Sequence, residues 1–115
     1  MSTHKMAILI NNSLHMGKGK IAAQAAHAAV KACERAPAAY KRAWDQMGSP
    51  KVVLRAESAE ALQAAVKQAA AAGLPASLIR DAGHTQVVAG SVTAAAIGPA
   101  PSDDVNRITG AMPLL

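Results

Sequence analysis

The chain of 115 residues predicts an α/β domain of three layers, a sheet of about four strands covered by helices. Three observations predict it. Short runs rich in Val, Ile and Leu alternate along the chain with longer stretches whose apolar residues recur every three or four positions. Glycine and proline stand between these segments, where a chain must turn. Half of the residues are apolar, yet there is no phenylalanine, one Trp and one Tyr, so Ala, Val, Ile, Leu and Met must build the core and helices and strands must approach closely. The length suits a single domain over residues 1–115, with no internal repeat or linker.

Met6 to Ile10 is a brief apolar run suited to a buried strand, ended by Asn11-Asn12-Ser13. Leu14 to Gly19 form a loop leading into a helix of roughly residues 20–35, which Pro37 closes. A shorter helix over Ala38 to Met47 has Tyr40 and Trp44 four apart on one side, a spacing that usually anchors a helix to the core and otherwise offers stacking platforms. Gly48-Ser49-Pro50 breaks the chain before a strand at Lys51 to Ala56. Ser58 is a good N-cap with Glu60 in the first turn, and Leu62, Ala65, Val66 and Ala69 keep helical spacing until Gly73 and Pro75. Ala76 to Asp81 is a third strand, followed by a turn over residues 82–86 and an extended or looped segment, Val87 to Gly90. Ser91 to Ile97 is a fourth strand of small side chains, stopped by Gly98-Pro99-Ala100-Pro101, and Ser102 or Asp103 caps a short last helix through Ile108.

Charge is unevenly placed. Residues 1–56 hold nine Lys and Arg against two acids, whereas residues 57–115 hold three against five, and the net charge is +5. A basic half favours a polyanionic partner such as a nucleic acid or an acidic membrane surface. Apolar runs are interrupted by Lys, Gln, His or Gly, and no export signal stands at the start, so membrane and secreted classes are disfavoured and a cytoplasmic protein is expected. The single cysteine, Cys33, cannot form an internal disulfide, which agrees with a reducing compartment.

The stretch Met16 to Val30 is the strongest candidate for a site. Lys18 and Lys20 alternate with Gly17 and Gly19 where a loop enters a helix, and such a junction directs backbone N–H groups, the positive end of a helix dipole and two ammonium groups toward one point. Anion binding follows. Along the helix Lys20, Gln24, His27, Lys31 and Glu34 form one polar stripe, which an ordinary solvated helix face would also show. If the first and third strands are parallel, the lysine loop and the turn carrying Asp81 and Thr85 emerge on the same edge of the sheet. Asp81 then accepts or orients a proton, Thr85 binds water or a carbonyl, and Lys20 offsets negative charge; an Asx turn or a helix-style cap is the structural reading of Asp81.

Other chemistries fit poorly. A Walker loop needs Gly-Lys-Ser/Thr, but Ile21 follows Gly19-Lys20. His15, His27 and His84 lack the spacing of a zinc site. Cys33 lies about 240° around the helix from His27, so the two are not a nucleophile and base. No Gly-x-Ser-x-Gly elbow occurs, which leaves water as the nucleophile of a hydrolase, with no metal or cofactor required. The scarcity of aromatics disfavours single-strand RNA binding by stacking.

With these residues in view, the chain resembles the type 2 peptidyl-tRNA hydrolases. The resemblance rests on MGKGKIAAQAAHAAV at 16–30, KVVL at 51–54, the run from Gly73 through Asp81 to Gly83, Thr85-Gln86, GSVT at 90–93 and Ile97 to Pro101, in that order. It implies a mixed four-stranded sheet flanked by helices, often as a homodimer, and hydrolysis of the ester joining a peptide to the terminal ribose of tRNA. The proposed catalytic lysine, aspartate and threonine of that family fall on Lys20, Asp81 and Thr85, with Lys18, Gln24, His27 and Thr93 as supporting substrate-binding residues. His84 stands where the family usually has arginine, exchanging a permanent charge for one that titrates near neutrality at a substrate-binding position. The alternatives are a non-catalytic tRNA- or RNA-binding module on the same fold and an interaction protein that assembles through its small-residue helices.

Overall fold

The computed structural model describes residues 3–83 and 87–115. Along the chain run β1 (His4–Asn11), a 3-10 turn (Asn12–Leu14), α1 (Lys18–Arg35), α2 (Ala38–Gln46), β2 (Lys51–Ala56), α3 (Ala59–Ala71), β3 (Ala76–Arg80), β4 (Val92–Pro101) and α4 (Ser102–Thr109). The four strands form one mixed sheet in the order β2-β1-β4-β3. β1 and β2 are parallel, and β4 is antiparallel to both β1 and β3. β1 and β3 therefore run in the same direction, which meets the condition for bringing the lysine segment and the Asp81 turn to one edge.

The layers follow from chain direction and alternation. Passing from β1 to β2 and from β2 to β3 moves the chain in opposite senses across the sheet, so right-handed crossovers place the intervening helices on opposite faces. Along β1 the even residues Met6, Ile8 and Ile10 pack with Ala28 and Ala32 of α1 and Trp44 of α2, and the odd residues Ala7 and Leu9 pack with Leu62, Ala65 and Ala69 of α3 and Val105 of α4. Leu62 is fully buried, worth about 1.5–3 kcal/mol relative to exposure. Ala94, Ala95 and Ala96 of β4 are also fully buried, and their small side chains let helices close on the sheet from both sides.

Several boundaries differ from the sequence expectation. α1 begins at Lys18 rather than near residue 20, with Gly17 as its N-cap, so both lysines sit in the first turn. Residues two apart on a helix point about 200° apart; Lys18 is exposed whereas the Lys20 side chain is buried, and the two ammonium groups do not converge on one point. β4 continues through the expected Gly-Pro break to Pro101. The pairing register with β1 shifts there, between Lys5 and Ala7, which lets the strand absorb Pro99, a residue with no N–H to donate. Gly98 is required at this crossing, since a Cβ would stand 2.5 Å from the carbonyl oxygen of Lys5. Trp44 is buried with its Nε1–H donating to the Pro50 carbonyl at 2.9 Å, which makes it a core anchor and removes it as a base-stacking platform.

Candidate active site

α1 leaves the carboxyl end of β1 through a fixed connection. Asn11, buried, donates from Nδ2 to the Val92 carbonyl at 2.9 Å and accepts at Oδ1 from the N–H of Ser13 at 3.1 Å and from its hydroxyl at 2.6 Å. These bonds tie the start of the loop to the start of β4. Met16 then buries its side chain against the α1 face of the sheet, and Gly17 starts the helix. The helix thus enters at an angle set on both sides of the turn.

In the first turn of α1, the Lys20 ammonium donates to Oδ1 of Asp81, sixty-one residues away, in an ion pair whose side chains are only 8% and 1% exposed. Asp81 follows the last residue of β3, where its N–H donates to the Ser91 carbonyl at 2.8 Å and its carbonyl accepts from the N–H of Gly90 at 2.8 Å. Its second oxygen, Oδ2, accepts from the N–H of Gly83 at 2.7 Å. The Asx-turn reading of Asp81 is therefore met at Oδ2, while Oδ1 takes the Lys20 ammonium. Gly83 holds φ +88°, and a Cβ there would lie 2.9 Å from Ala89. A buried carboxylate and ammonium are tolerated when each is paired and hydrogen-bonded, as here.

The polar stripe of α1 divides according to burial. Gln24 is buried; His27 and Lys31 are exposed. The hydroxyl of Thr93, fully buried on β4, donates to Oε1 of Gln24 and lies 3.3 Å from the Ile79 carbonyl. A hydroxyl has one proton, so it serves one of these acceptors at a time. Lys20, Gln24, His27 and Asp81 all line a cavity of about 780 Å³ between α1 and β3, and Thr93 lies behind Gln24. Lys18 is not on its wall. His84 and Thr85 lie outside the described residues.

Sequence reasoning missed part of this wall. Ala23 and Val30 of α1 and Leu78, Ile79 and Arg80 of β3 also line the cavity. Val30, 57% exposed, carries the one signal that was available, an apolar side chain beside a polar stripe. Arg80 is exposed, and its guanidinium donates to the Gly90 carbonyl at 3.2 Å. Among the described residues no group of three or more His, Cys, Asp or Glu side chains is placed to hold a metal ion. No helix of the described residues is long and apolar enough to cross a membrane.

Comparison with known proteins follows the same boundaries. The family model described as Peptidyl-tRNA hydrolase PTH2 matches residues 4–115. A peptidyl-tRNA hydrolase of Aeropyrum pernix is 48% identical over 118 residues, covering 96% of this chain and 95% of its own length. One from Sulfolobus acidocaldarius is 44% identical over 119 residues, covering 96% and 99%. The human protein named peptidyl-tRNA hydrolase 2, mitochondrial, is 45% identical over 115 residues, and the match spans 64% of that longer chain. With the family model reaching from β1 to the last residue, and relatives matched over almost the whole chain, this chain belongs to the peptidyl-tRNA hydrolase PTH2 family.

Proposed function

We infer that the chain is a peptidyl-tRNA hydrolase that cleaves the ester between a peptide, or an N-blocked amino acid, and the 3′-terminal ribose of tRNA, with water as nucleophile. The observation that carries the mechanism is the buried Lys20–Asp81 pair on the cavity wall, built from two distant segments. An ammonium has three protons, and Asp81 takes one, so Lys20 retains donors for the ester carbonyl oxygen as it becomes an oxyanion. Asp81 keeps that ammonium in place and, with Thr85, manages the proton of the attacking water. Gln24, held by Thr93, and His27 line the path of the substrate into the cavity. His84 belongs to the same substrate-binding set.

The tRNA backbone is drawn by the basic half of the chain. Lys18, Lys31, Arg35, Arg42 and Lys51 are exposed, and Lys31 reaches the cavity rim. Phosphate contacts of this kind weaken steeply with salt. A cytoplasmic location and a homodimer belong to the same reading, the second checked by sedimentation at micromolar concentration. The relatives are named as hydrolases, so a non-catalytic RNA-binding module on this fold is not favoured.

The test is release of free N-acetylamino acid or peptide from its tRNA ester by purified protein. Turnover lost in Asp81→Ala with tRNA binding kept supports the assignment. Undiminished turnover in both Lys20→Ala and Asp81→Ala removes the pair from the chemistry.

A further inference from the structure

We propose that the peptide part of the substrate is bound as an added strand, parallel to β3, along the outer edge of the sheet. The proposal rests on the hydrolase reading above and names the subsite that the peptide occupies. The two edges of the sheet, β2 and β3, are treated differently by the chain. At β2 the C-terminal tail supplies main-chain partners, with Arg55 N–H donating to the Pro113 carbonyl at 2.8 Å and Leu115 N–H to the Val53 carbonyl at 3.0 Å. At β3 no described strand follows, and among the described residues only its first carbonyl is engaged from outside, that of Ala76 accepting from Arg35 at 2.7 Å. An edge strand of this kind is a template for another extended chain.

The hydrogen-bond parity of β3 identifies which groups face outward. Gly98 N–H donates to the Pro75 carbonyl at 2.9 Å and Asp81 N–H to the Ser91 carbonyl at 2.8 Å, and the Thr93 hydroxyl approaches the Ile79 carbonyl from β4. Main-chain groups at the odd positions thus point toward β4, and those of Ala76, Leu78 and Arg80 point away from it. The carbonyl of Ala76 is where Arg35 finds it. Leu78 and Arg80 line the same cavity as Lys20 and Asp81, with Val30 on the facing wall.

The chemistry of the substrate then sets direction. The scissile ester is at the last residue of the peptide, so its carbonyl lies at Lys20 and Asp81 and the rest of the chain runs back toward Ala76. Its direction, N to C, is that of β3. At about 3.3 Å per residue, the edge between Asp81 and the carbonyl closed by Arg35 serves roughly three or four peptide residues. Recognition through main-chain groups suits an enzyme whose substrates share a backbone and differ in every side chain.

The experiment compares kcat/KM for tRNA esters of N-acetylated alanine, dialanine, trialanine, tetra-alanine and penta-alanine, and for trialanine N-methylated at its second or its third residue from the ester. The expected result is a rise of about 5-fold for each main-chain hydrogen bond gained, ending at three or four residues. In a parallel pair alternate residues of the added strand face β3, so methylation at one of the two positions lowers kcat/KM by about 5- to 10-fold and at its neighbour leaves it unchanged. No dependence on length, or equal losses at the two positions, overturns the added strand. If the β3 edge is instead closed by a second copy of the chain, methylation has no effect at either position, and the proposal falls. N-acetylalanyl-tRNA separates the two readings: no turnover of any ester removes the hydrolase assignment, whereas turnover independent of length removes only the strand.

Discussion

α1 and α3 are two alanine-rich helices that follow parallel strands, and they begin in opposite ways. α3 has Ser58 as N-cap, its hydroxyl accepting from the Ala61 N–H at 3.1 Å, with Glu60 in the first turn, the arrangement that suits a helix dipole. α1 starts at Gly17 with no side-chain cap bond and carries Lys18 and Lys20 in its first turn, charges that oppose the dipole. Their buried faces differ as well: α3 buries Leu62, Ala65 and Ala69, whereas α1 buries Gln24 beside Ala28 and Ala32. The helix that follows local stability rules holds the sheet together. The helix that departs from them carries the candidate site, and its departures are made good by partners from elsewhere in the chain, Asp81 for Lys20 and Thr93 for Gln24.

The contrast can be broken from either side. Asp81→Ala leaves the Lys20 ammonium buried without its partner, and the expected loss is about 3–5 kcal/mol in urea unfolding together with hydrolysis. A loss below about 1 kcal/mol would mean that the pair contributes little to holding α1 on β3. Lys20→Ala is expected to lower turnover per folded molecule by ~100- to 1000-fold, read in single-turnover hydrolysis. Thr93→Val strips the Gln24 side chain of a buried partner, with an expected cost of about 1–3 kcal/mol in chemical denaturation. Smallest is Ser58→Ala, about 1 kcal/mol lower stability and unchanged kcat and KM. If Ser58→Ala impaired turnover per folded molecule, α3 would have to be joined to the site and the contrast would fail.

Much of the candidate site's cavity wall is legible in the residues alone. Lys20, Gln24, His27 and Lys31 share a stripe because a helix returns to the same face every three or four residues, and all four line the cavity. Two features mislead. The Gly-Lys alternation reads as a loop, yet Lys18 and Gly19 are helical, which turns Lys18 to solvent and away from Lys20. The run at 98–101, with its two prolines, reads as a stop, yet it is the end of a central strand, because a register shift accommodates what proline cannot pair.

The sequence by itself determined the alternation of strands and helices, the N-cap of α3, the composition of an alanine-rich core and the residues of the α1 stripe. Each of these depends on contacts between near neighbours, and helical and strand periods print them directly into the chain. Tertiary structure alone decided that β1 and β3 run the same way on either side of β4, that Gln24 is buried while His27 is exposed, and that among the described residues β3 is left as an edge while β2 is covered. It also chose Asp81 as the partner of Lys20 across sixty-one residues. Those outcomes come from closing a sheet and burying two faces of it at once, a balance of distant hydrogen bonds and packed surfaces that no local window of residues contains.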